Sequence, residues 1–383
     1  MRICHIITRM ILGGAQENTL LTCQGLHARG HEVILITGPA LGPEGDLLSR
    51  AQEAGYRVIV LPELRREISL WRDYKALRAI KAHLAEISPR VVHTHSSKAG
   101  ILGRRAAHRL GCMKIVHTVH GLAFHSREKP RRNRLYIRLE KQAAAWTDAI
   151  ISVADAMTHQ ALAAGVGRPE QYTTIYSGME LEPYLSRPAQ ADAFRASLGL
   201  GPDATLLTQV SRLAEWKGHE FLLAAAERIN DPNVHFCFVG DGALRGQIEK
   251  QIARRNLTKR VHLTGLLPPG QIPAVMHASD VVVHCSLREG LARALPQAML
   301  AGRPVVSFDV DGAREVVDGQ TGALVPPEDV DALVEALGTL IRNPERRFLL
   351  GAAGRERCKQ RFDHNVMVER IETLYERICH TGP

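Results

Sequence analysis

The chain has 383 residues, of which 45% are hydrophobic and 23% are charged, and its formal net charge is +9. This length exceeds one ordinary hydrophobic core and suits two domains. The composition excludes a disordered or fibrous protein, and no apolar run reaches the ~18 residues that a membrane-spanning helix needs. The seven cysteines are scattered without a C-x-x-C pair. We therefore expect reduced thiols in a cytoplasmic protein, and neither disulfides nor a zinc site.

Strand-like and helix-like segments alternate from the N-terminus onward. Buried parallel strands are apolar runs, and helices with one apolar face follow most of them. The predicted strands of the first half span 1–8, 32–37, 57–61, 90–94, 114–119 and 148–153, and a further short strand and turn is predicted over 173–182. The predicted helices span 16–29, 44–54, 71–86, 98–110, 134–146 and 154–164. This alternation predicts a parallel, doubly wound sheet.

A polar segment rich in proline and alanine, 183–202, is predicted to be the hinge between two domains. The alternation then restarts. The predicted strands span 205–211, 234–239, 261–264, 281–285 and 304–308. The predicted helices span 217–229, 242–255, 271–277, 291–301, 330–342, 344–360 and 364–379. We therefore expect an α/β protein with two doubly wound parallel-sheet domains, over residues 1–183 and 184–363.

The segment from Ser286 to Ser307 is predicted to form a turn, a helix and a buried strand. Glu289 and Gly290 lie in the turn, at the carboxyl end of the preceding strand, where α/β sheets bind ligands. The first amides of a helix that begins at Leu291 would favour an anion. A carboxylate beside an anion site suits a sugar phosphate. The alternative is an ordinary turn with a solvated glutamate.

Two cations, Arg212 and Lys217, follow the predicted strand that ends at Ser211. The planar fork of the arginine and the mobile charge of the lysine can both reach a diphosphate. They would neutralise a leaving nucleoside diphosphate without a metal ion. The alternative is a pair of surface cations, although the helix dipole disfavours Lys217 at a helix start. Gly240 and Gly265 follow the next two predicted strands. Their backbone could line the site of a nucleotide base, or they could form ordinary turns.

Two glycines and several histidines lie near strand ends in the first half. Gly13 and Gly14 allow a ligand close to the backbone or form a tight turn. They are not part of a G-x-G-x-x-G motif, so a nicotinamide-dinucleotide site is not indicated. His120 should project from the carboxyl end of its strand, where a neutral imidazole can bind a sugar hydroxyl. We predict no metal site, because no carboxylate pattern accompanies the histidines of this region, which are His93, His95, His117 and His120.

A basic segment over 127–141 carries seven basic and two acidic side chains, a local charge of +5. Such a segment indicates an anionic partner or a solvated loop and helix face. We predict contact with a phosphate-bearing acceptor or an anionic membrane surface, and no nucleic acid. The residues of this basic patch are Arg127, Lys129, Arg131, Arg132 and Arg134.

Together these residues resemble glycosyltransferase family 4, the retaining group 1 glycosyltransferases with the GT-B fold. The motifs occur in the order and at the spacing of that family, and they comprise Gly13-Gly14, His120, Arg212 with Lys217, and the block from Glu289 to Pro304. The resemblance implies two Rossmann-like domains that face a cleft, with a nucleotide sugar held mainly by the second. It implies front-face, retaining transfer without a metal ion or other required cofactor. It also implies that the last helix, 364–380, crosses back to the first domain.

The resemblance further implies roles for single residues. Arg212 and Lys217 would bind the diphosphate, and His120 would lie near the 6-position of the sugar. Glu289 would lie on the 3-hydroxyl side, and Gly14 near the reacting centre. The remaining residues of the implied donor site are Gly13, Gly240, Gly265, Gly290, Leu291 and Gln297.

Gln297 is the main departure from the family pattern, because a second glutamate usually holds the ribose diol there. A carboxylate accepts two hydroxyl protons, whereas one end of an amide accepts and the other donates. We therefore expect ribose binding to be weaker by about 1–2 kcal/mol. A second departure is the turn Ser177-Gly178-Met179-Glu180, which is often Asn-Gly-hydrophobe-Asp in relatives.

The favoured hypothesis is a retaining glycosyltransferase that moves a hexose-type sugar from a nucleoside diphosphate. Family frequency favours a UDP-sugar. The acceptor would be a glycan, a lipid-linked sugar or another anionic acceptor in cell-surface polysaccharide or glycolipid synthesis, reached from the inner face of the membrane. Two alternatives stay open: a sugar-nucleotide epimerase of the same architecture, and a catalytically weakened nucleotide-sugar-binding protein.

Overall fold

The structure is a computed structural model that describes residues 1–41 and 45–380. The chain divides into two compact units. The N-terminal unit comprises Met1–Met179 and the chain from His364 onward, and the C-terminal unit comprises Glu180–Asp363. The boundary between the units thus falls between residues 179 and 180, whereas the sequence pattern placed it between 183 and 184.

The N-terminal unit is built on a parallel sheet whose strands are β1 Arg2–Ile7, β2 Glu32–Thr37, β3 Arg57–Val60, β4 Val91–His95, β5 Lys114–Val119, β6 Ala149–Ser152 and β7 Tyr172–Thr174. Their order in the sheet of the described chain is β3-β2-β1-β4-β5-β6-β7. Its helices are α1 Gly14–Ala28, α2 Leu48–Gln52, α3 Leu70–Ile87, α4 Ser97–His108, α5 Pro130–Ala144 and α6 Asp155–Ala163, with α16 His364–His380 from the end of the chain.

The C-terminal unit is also built on a parallel sheet, with the strands β8 Thr205–Val210, β9 Val234–Val239, β10 Val261–Gly265, β11 Val281–His284, β12 Val305–Phe308 and β13 Gly322–Val325. Their order in the sheet of the described chain is β10-β9-β8-β11-β12-β13. Its helices are α7 Glu182–Leu185, α8 Gln190–Ser197, α9 His219–Arg228, α10 Arg245–Arg254, α11 Ile272–Ala278, α12 Ala294–Leu300, α13 Ala313–Val316, α14 Val330–Arg342 and α15 Pro344–Arg361.

Both sheets have a point where the strand order changes direction. In the first sheet it lies between β1 and β4, and in the second between β8 and β11. Loops that leave neighbouring strands there diverge and open a crevice at the carboxyl ends, which is where open α/β sheets bind ligands. The prediction of two doubly wound parallel-sheet α/β domains is confirmed.

The last helix, α16, completes the core of the N-terminal unit by packing on α1. Its apolar face joins the buried cluster formed by α1 and β1, and consists of Met367, Val368, Ile371, Leu374, Tyr375 and Ile378. The first domain therefore needs the end of the chain to bury one face of its sheet.

The predicted hinge at 183–202 is wrong, because this segment contains α7 and α8. Pro183 lies in the first turn of α7, where its missing N–H costs nothing. Ala191 of α8 is fully buried in an apolar cluster with Val275 and Ala278 of α11. Of the prolines and alanines that suggested a linker, Pro183 thus begins a helix and Ala191 belongs to a packed helix face.

Other differences concern the ends of elements. The predicted helix 44–54 begins at Glu44, which lies outside the described residues, and its described part is α2. Helix α5 begins at Pro130 and not at residue 134, because proline fits the first helical turn. The short edge strand β13 was not predicted. No helix of the described chain is long and apolar enough to cross a membrane.

Candidate functional site

The loop after β8 is held against the end of β11 by a glycine. Gly218 has φ +68°, and a Cβ there would lie 1.9 Å from the carbonyl oxygen of Cys285. No other residue fits without moving the backbone. Leu287 N donates to Trp216 O over 2.7 Å, and Gln209 Nε2 donates to Lys217 O over 2.7 Å. These contacts bring the loop that carries both predicted cations to the switch point of the second sheet.

Lys217 and Glu289 form an ion pair at this switch point, and each side chain is 19% exposed. His284 Nε2 lies 3.4 Å from the same carboxylate oxygen of Glu289. Asp311 accepts from Glu289 N over 2.7 Å and fixes the turn. Burial would raise the pKa of Glu289, but the charge of Lys217 and the contact with His284 together hold that pKa well below its usual range. Glu289 is therefore an ionised hydrogen-bond acceptor.

Arg212 lies on the same loop with its side chain exposed. Among the described residues the Arg212 side chain has neither a hydrogen-bond partner nor an ion-pair partner. The charge of Lys217 is balanced by Glu289, whereas that of Arg212 is not. The carboxyl edge of the second sheet therefore offers one uncompensated cation beside an ionised acceptor.

Gly240 and Gly265 form the neighbouring wall of this edge. Gly240 has φ +141°, and a Cβ there would lie 2.1 Å from the carbonyl oxygen of Ser211. Its N–H donates to Gly265 O over 3.0 Å, in an isolated bridge between the ends of β9 and β10. The backbone at Gly240 therefore packs directly against Ser211, the residue before Arg212.

The predicted helix start at Leu291 is wrong, because α12 begins at Ala294. Pro296 explains the difference: in a helix from Leu291 it would lie in the second turn, where proline removes a hydrogen bond and clashes with an earlier carbonyl. Gly290 and Leu291 are buried in the loop and not in the first turn of the helix. Gln297 lies half-buried on α12.

A pocket of about 260 Å³ lies at the carboxyl edge of the N-terminal sheet. His120 lines it, as do Ala15 at the start of α1, Ser96 after β4 and Phe124. Gly13 and Gly14 are exposed beside Ala15. Gly13 is extended, with φ 175°, so the turn does not need a left-handed residue. The pocket is a second candidate binding site, built within the first unit alone.

His120 is the outer member of a chain of three hydrogen-bonded imidazoles. His5 Nδ1 lies 3.0 Å from His95 Nε2, and His95 Nδ1 lies 3.1 Å from His120 Nε2. A neutral imidazole donates through one nitrogen and accepts through the other, so the tautomers of the three rings are coupled. The sequence pattern did not single out His5. Pairing of β1 with β4 opposes His5 to His93, and that register is visible only in the fold.

Hydrogen bonds account for both ring nitrogens of the buried His93 and His95. His93 Nδ1 lies 2.5 Å from Tyr375 Oη, and His93 Nε2 lies 2.7 Å from Thr118 Oγ1. The ligand atoms of His5, His93 and His95 lie within 4.8 Å of one another, a spacing that a metal ion could use. Both nitrogens of His93 and of His95 already have partners, so the arrangement fits a hydrogen-bonded core. Burial lowers the pKa of His5 to about 3 and holds the pKa values of His93 and His95 well below 6.5.

The basic patch lies in the loop before α5 and on its first turns. Arg132 donates to Tyr136 Oη over 2.9 Å and lies 3.7 Å from Glu128. Because α5 follows β5, this end of the helix lies at the carboxyl edge of the first sheet, as the pocket does. The five predicted patch residues are all exposed: Arg127, Lys129, Arg131, Arg132 and Arg134.

Two doubly wound domains, with cations and a carboxylate at the switch point of the second sheet, are typical of the GT-B class of nucleotide-sugar transferases. The chain matches the model of glycosyl transferases group 1 over residues 190–357, and that of the glycosyl transferase 4-like domain over residues 13–178.

Relatives of known activity support the same class. The chain is 30% identical over 381 residues to the UDP-Gal:alpha-D-GlcNAc-diphosphoundecaprenol alpha-1,3-galactosyltransferase of Escherichia coli, covering 98% of this chain and 96% of that protein. It is 29% identical over 387 residues to the 2-deoxystreptamine N-acetyl-D-glucosaminyltransferase of Streptomyces fradiae, covering 92% and 90%.

Solved structures share the fold. Sucrose-phosphate synthase from Thermosynechococcus elongatus has a TM-score of 0.87 at 25% identity and covers 100% of both chains. Anabaena HepE in complex with UDP-glucose has a TM-score of 0.83 at 24% identity, covering 98% of this chain and 100% of that one. The chain belongs to the group 1 glycosyltransferases, family 4, and is an enzyme that uses a sugar-nucleotide donor. The epimerase and the weakened binding protein are not favoured.

Proposed function

We propose that this enzyme transfers a hexose from a UDP-sugar, with retention of configuration, to a sugar carried on a lipid diphosphate. The product would be an intermediate of a cell-surface polysaccharide or glycolipid. The Escherichia coli relative supports both substrates, since it uses UDP-galactose and a diphosphoundecaprenol-linked acceptor. The Anabaena neighbour, solved with UDP, with UDP and glucose, and with UDP-glucose, supports the donor.

The observation that carries this proposal is the ionised Glu289, paired with Lys217 beside an unpaired Arg212. A hexose presents hydroxyl donors, which suit the carboxylate, and a diphosphate presents anionic oxygens, which suit the guanidinium and the ammonium group. All three groups lie at the carboxyl edge of the second sheet, where its loops diverge. Lys217 would then contact both the donor phosphate and Glu289, so that the diphosphate and the sugar of the donor are bound at the same sheet edge.

In the proposed reaction the bond between the anomeric carbon and the diphosphate oxygen breaks as the acceptor oxygen bonds that carbon from the same face. The acceptor hydroxyl loses its proton to the departing diphosphate oxygen. Negative charge therefore develops on the diphosphate, and Arg212 and Lys217 stabilise it. We propose that these two cations suffice and that no divalent ion is required. EDTA should then leave the transfer rate unchanged, and a rate that falls and recovers with Mg²⁺ would refute this step.

A transfer assay tests the site. The purified enzyme is incubated with UDP-, GDP- and ADP-sugars and a GlcNAc-diphosphate lipid, and product is measured for Arg212→Ala and Glu289→Gln. Each variant should lose about 100-fold or more in kcat/KM, because each removes charge or an acceptor that acts on the reacting donor. Arg228→Ala is the matched control, since it removes an exposed ion pair with Asp331 at the opposite end of α9. Unchanged activity in both site variants would contradict the assignment.

A further inference from the structure

Four large apolar side chains are exposed together where the chain enters α3. Ile68 is 74% exposed, Leu70 89%, Trp71 66% and Tyr74 51%. The rings of Trp71 and Tyr74 stack with centroids 6.3 Å apart. We call these four residues the α3 apolar patch. Scattered single apolar residues need no explanation, but four neighbours including two aromatic rings indicate a binding surface.

Basic side chains surround the α3 apolar patch. Residues 65–78 contain five basic and two acidic side chains, a local charge of +3. Lys75 Nζ lies 5.2 Å from the centre of the Trp71 ring, and the Arg78 guanidinium lies 6.0 Å from that of Tyr74. One of the two acids, Asp73, is already paired with Lys98 over 2.7 Å. The surface is therefore apolar at its centre and positive at its rim.

This combination fits a lipid surface better than a second copy of the chain. Tryptophan and tyrosine are enriched where a protein meets the headgroups of a bilayer, because one end of each ring is apolar and the other is polar. Lysine and arginine at the rim are attracted by anionic lipid. Two copies packed through this patch would instead place two positive rims against each other.

The patch lies near the pocket of the N-terminal unit. Helix α4 contacts both α3 and α5, and right-handed crossovers place all three on one face of the sheet. Each begins at the carboxyl edge, because each follows a strand. The α3 apolar patch and the basic patch that starts at Arg127 therefore lie on either side of α4, at the edge that carries His120.

We propose that the α3 apolar patch binds an anionic bilayer surface, with the rings of Trp71 and Tyr74 at headgroup depth and the basic patch before α5 as a second contact. The patch binds as an interfacial surface and does not span the bilayer. The edge with His120 then lies close to the lipid surface. The function of this contact, which is to bring the enzyme to its acceptor, rests on the proposed lipid-linked acceptor. The binding to lipid does not depend on that proposal.

Vesicle binding tests the proposal. The purified protein is sedimented with vesicles containing phosphatidylglycerol and with vesicles of phosphatidylcholine alone, and tryptophan emission is recorded. We expect binding to the anionic vesicles that weakens with salt, and a blue shift of the emission that is lost in Trp71→Phe. The double variant Leu70→Ser/Trp71→Ser should bind at least about tenfold more weakly, because it removes two exposed apolar side chains that lipid would bury.

The matched control is Phe348→Ser/Leu349→Ser, which removes two apolar side chains of α15 that are 73% and 59% exposed. It should bind vesicles as the parent does. Equal binding by the α3 double variant, or equal binding of the parent to both kinds of vesicle, would overturn the proposal. The proposal would also be overturned if the α3 double variant lost a dimer that the parent forms while its binding to vesicles stayed unchanged. Transfer to a water-soluble GlcNAc-diphosphate should persist in the α3 variant; absence of transfer in the parent would refute the proposed function and not this surface.

Discussion

At the scale of single residues, the ion pair of Lys217 and Glu289 determines the chemistry of the candidate donor site. The pKa of Glu289 is held below its usual range by Lys217 and His284, against the opposing effect of burial. Its charge is thus present throughout the neutral range, and it can accept hydrogen bonds but not donate a proton. Any pH dependence of transfer near neutrality must come from another group.

His120 is predicted to hydrogen-bond the transferred sugar, and its removal should separate sugar recognition from nucleotide recognition. We expect His120→Ala to lower kcat/KM about tenfold, the loss of one neutral hydrogen bond in the transition state. The thermal shift produced by UDP should be unchanged, because UDP lacks the sugar. His159→Ala, at an exposed position of α6, is the control. Equal loss of UDP binding in His120→Ala would contradict the predicted role.

Gln297 gives a prediction of opposite sign. The change Gln297→Glu supplies a carboxylate that can accept both protons of a ribose diol. We expect UDP to bind about tenfold more tightly, which corresponds to about 1–2 kcal/mol. Isothermal titration with UDP measures the change, and titration with free diphosphate controls for contacts outside the ribose. Affinity for UDP that is unchanged or lower would show that Gln297 does not face the ribose.

The sequence predicted the types of the site residues better than their partners. Arg212, Lys217 and Glu289 were found because each follows a predicted strand, and the fold places them at one sheet edge. The pairing of Lys217 with Glu289 was not predicted, because the two lie 72 residues apart and meet only if β8 neighbours β11. His5 was missed for the same reason, since strand register is not visible in a single apolar run.

At the scale of elements, the loops after the strands position the site, and glycine permits their close packing. Strand–helix alternation predicted the main elements because apolar runs of this length admit few other structures. The predicted elements are wrong where the position of a proline within its helix was not considered. Pro183 starts α7 inside the supposed hinge, and Pro296 delays α12 to Ala294.

Gly218 is the position where a single methyl group should disturb the loop after β8. In Gly218→Ala the left-handed backbone and the contact with Cys285 O both oppose the new Cβ. We expect a loss of about 2–4 kcal/mol in the free energy of unfolding of the C-terminal unit. Chemical denaturation measures it. Gly246→Ala in α10 meets no atom within 4 Å and should be neutral or stabilising by up to about 1 kcal/mol. Equal stability of the two variants would contradict the packing described.

At the scale of the whole molecule, a distant part of the chain completes the N-terminal unit, whose strands also carry buried titratable groups. In the described chain four histidines of these strands, His5, His93, His95 and His117, are buried, and the core is closed by α16 from the far end of the chain. Sequence patterns alone could not assign α16 to either unit, because the pattern of an amphipathic helix does not indicate which sheet the helix packs against. The family resemblance did imply that the helix crosses back to the first domain.

The buried histidines should make the N-terminal unit sensitive to acid. Burial lowers the pKa of His5 to about 3 and holds those of His93, His95 and His117 well below 6.5. An unfolded histidine titrates near pH 6.5, so below that pH the unfolded chain binds more protons than the folded one. Each such histidine then costs up to about 1.4 kcal/mol per pH unit, and stability falls as the pH falls.

Calorimetry between about pH 7 and about pH 5 checks this prediction, with the melting temperature expected to fall steeply. His5→Leu removes one of the four groups and should reduce the slope, whereas His159→Asn at the surface should not. A melting temperature independent of pH over this range would show that the histidines are not buried as neutral rings.

The most direct test of the proposed function is the anomeric configuration of the product formed from a UDP-α-hexose and a GlcNAc-diphosphate lipid. Proton NMR of the purified product distinguishes the two anomers by the coupling at the anomeric proton. Front-face transfer at a site with Arg212, Lys217 and Glu289 predicts an α-linked disaccharide, formed without added metal. A β-linked product, or transfer from GDP-sugars and not from UDP-sugars, would contradict the account.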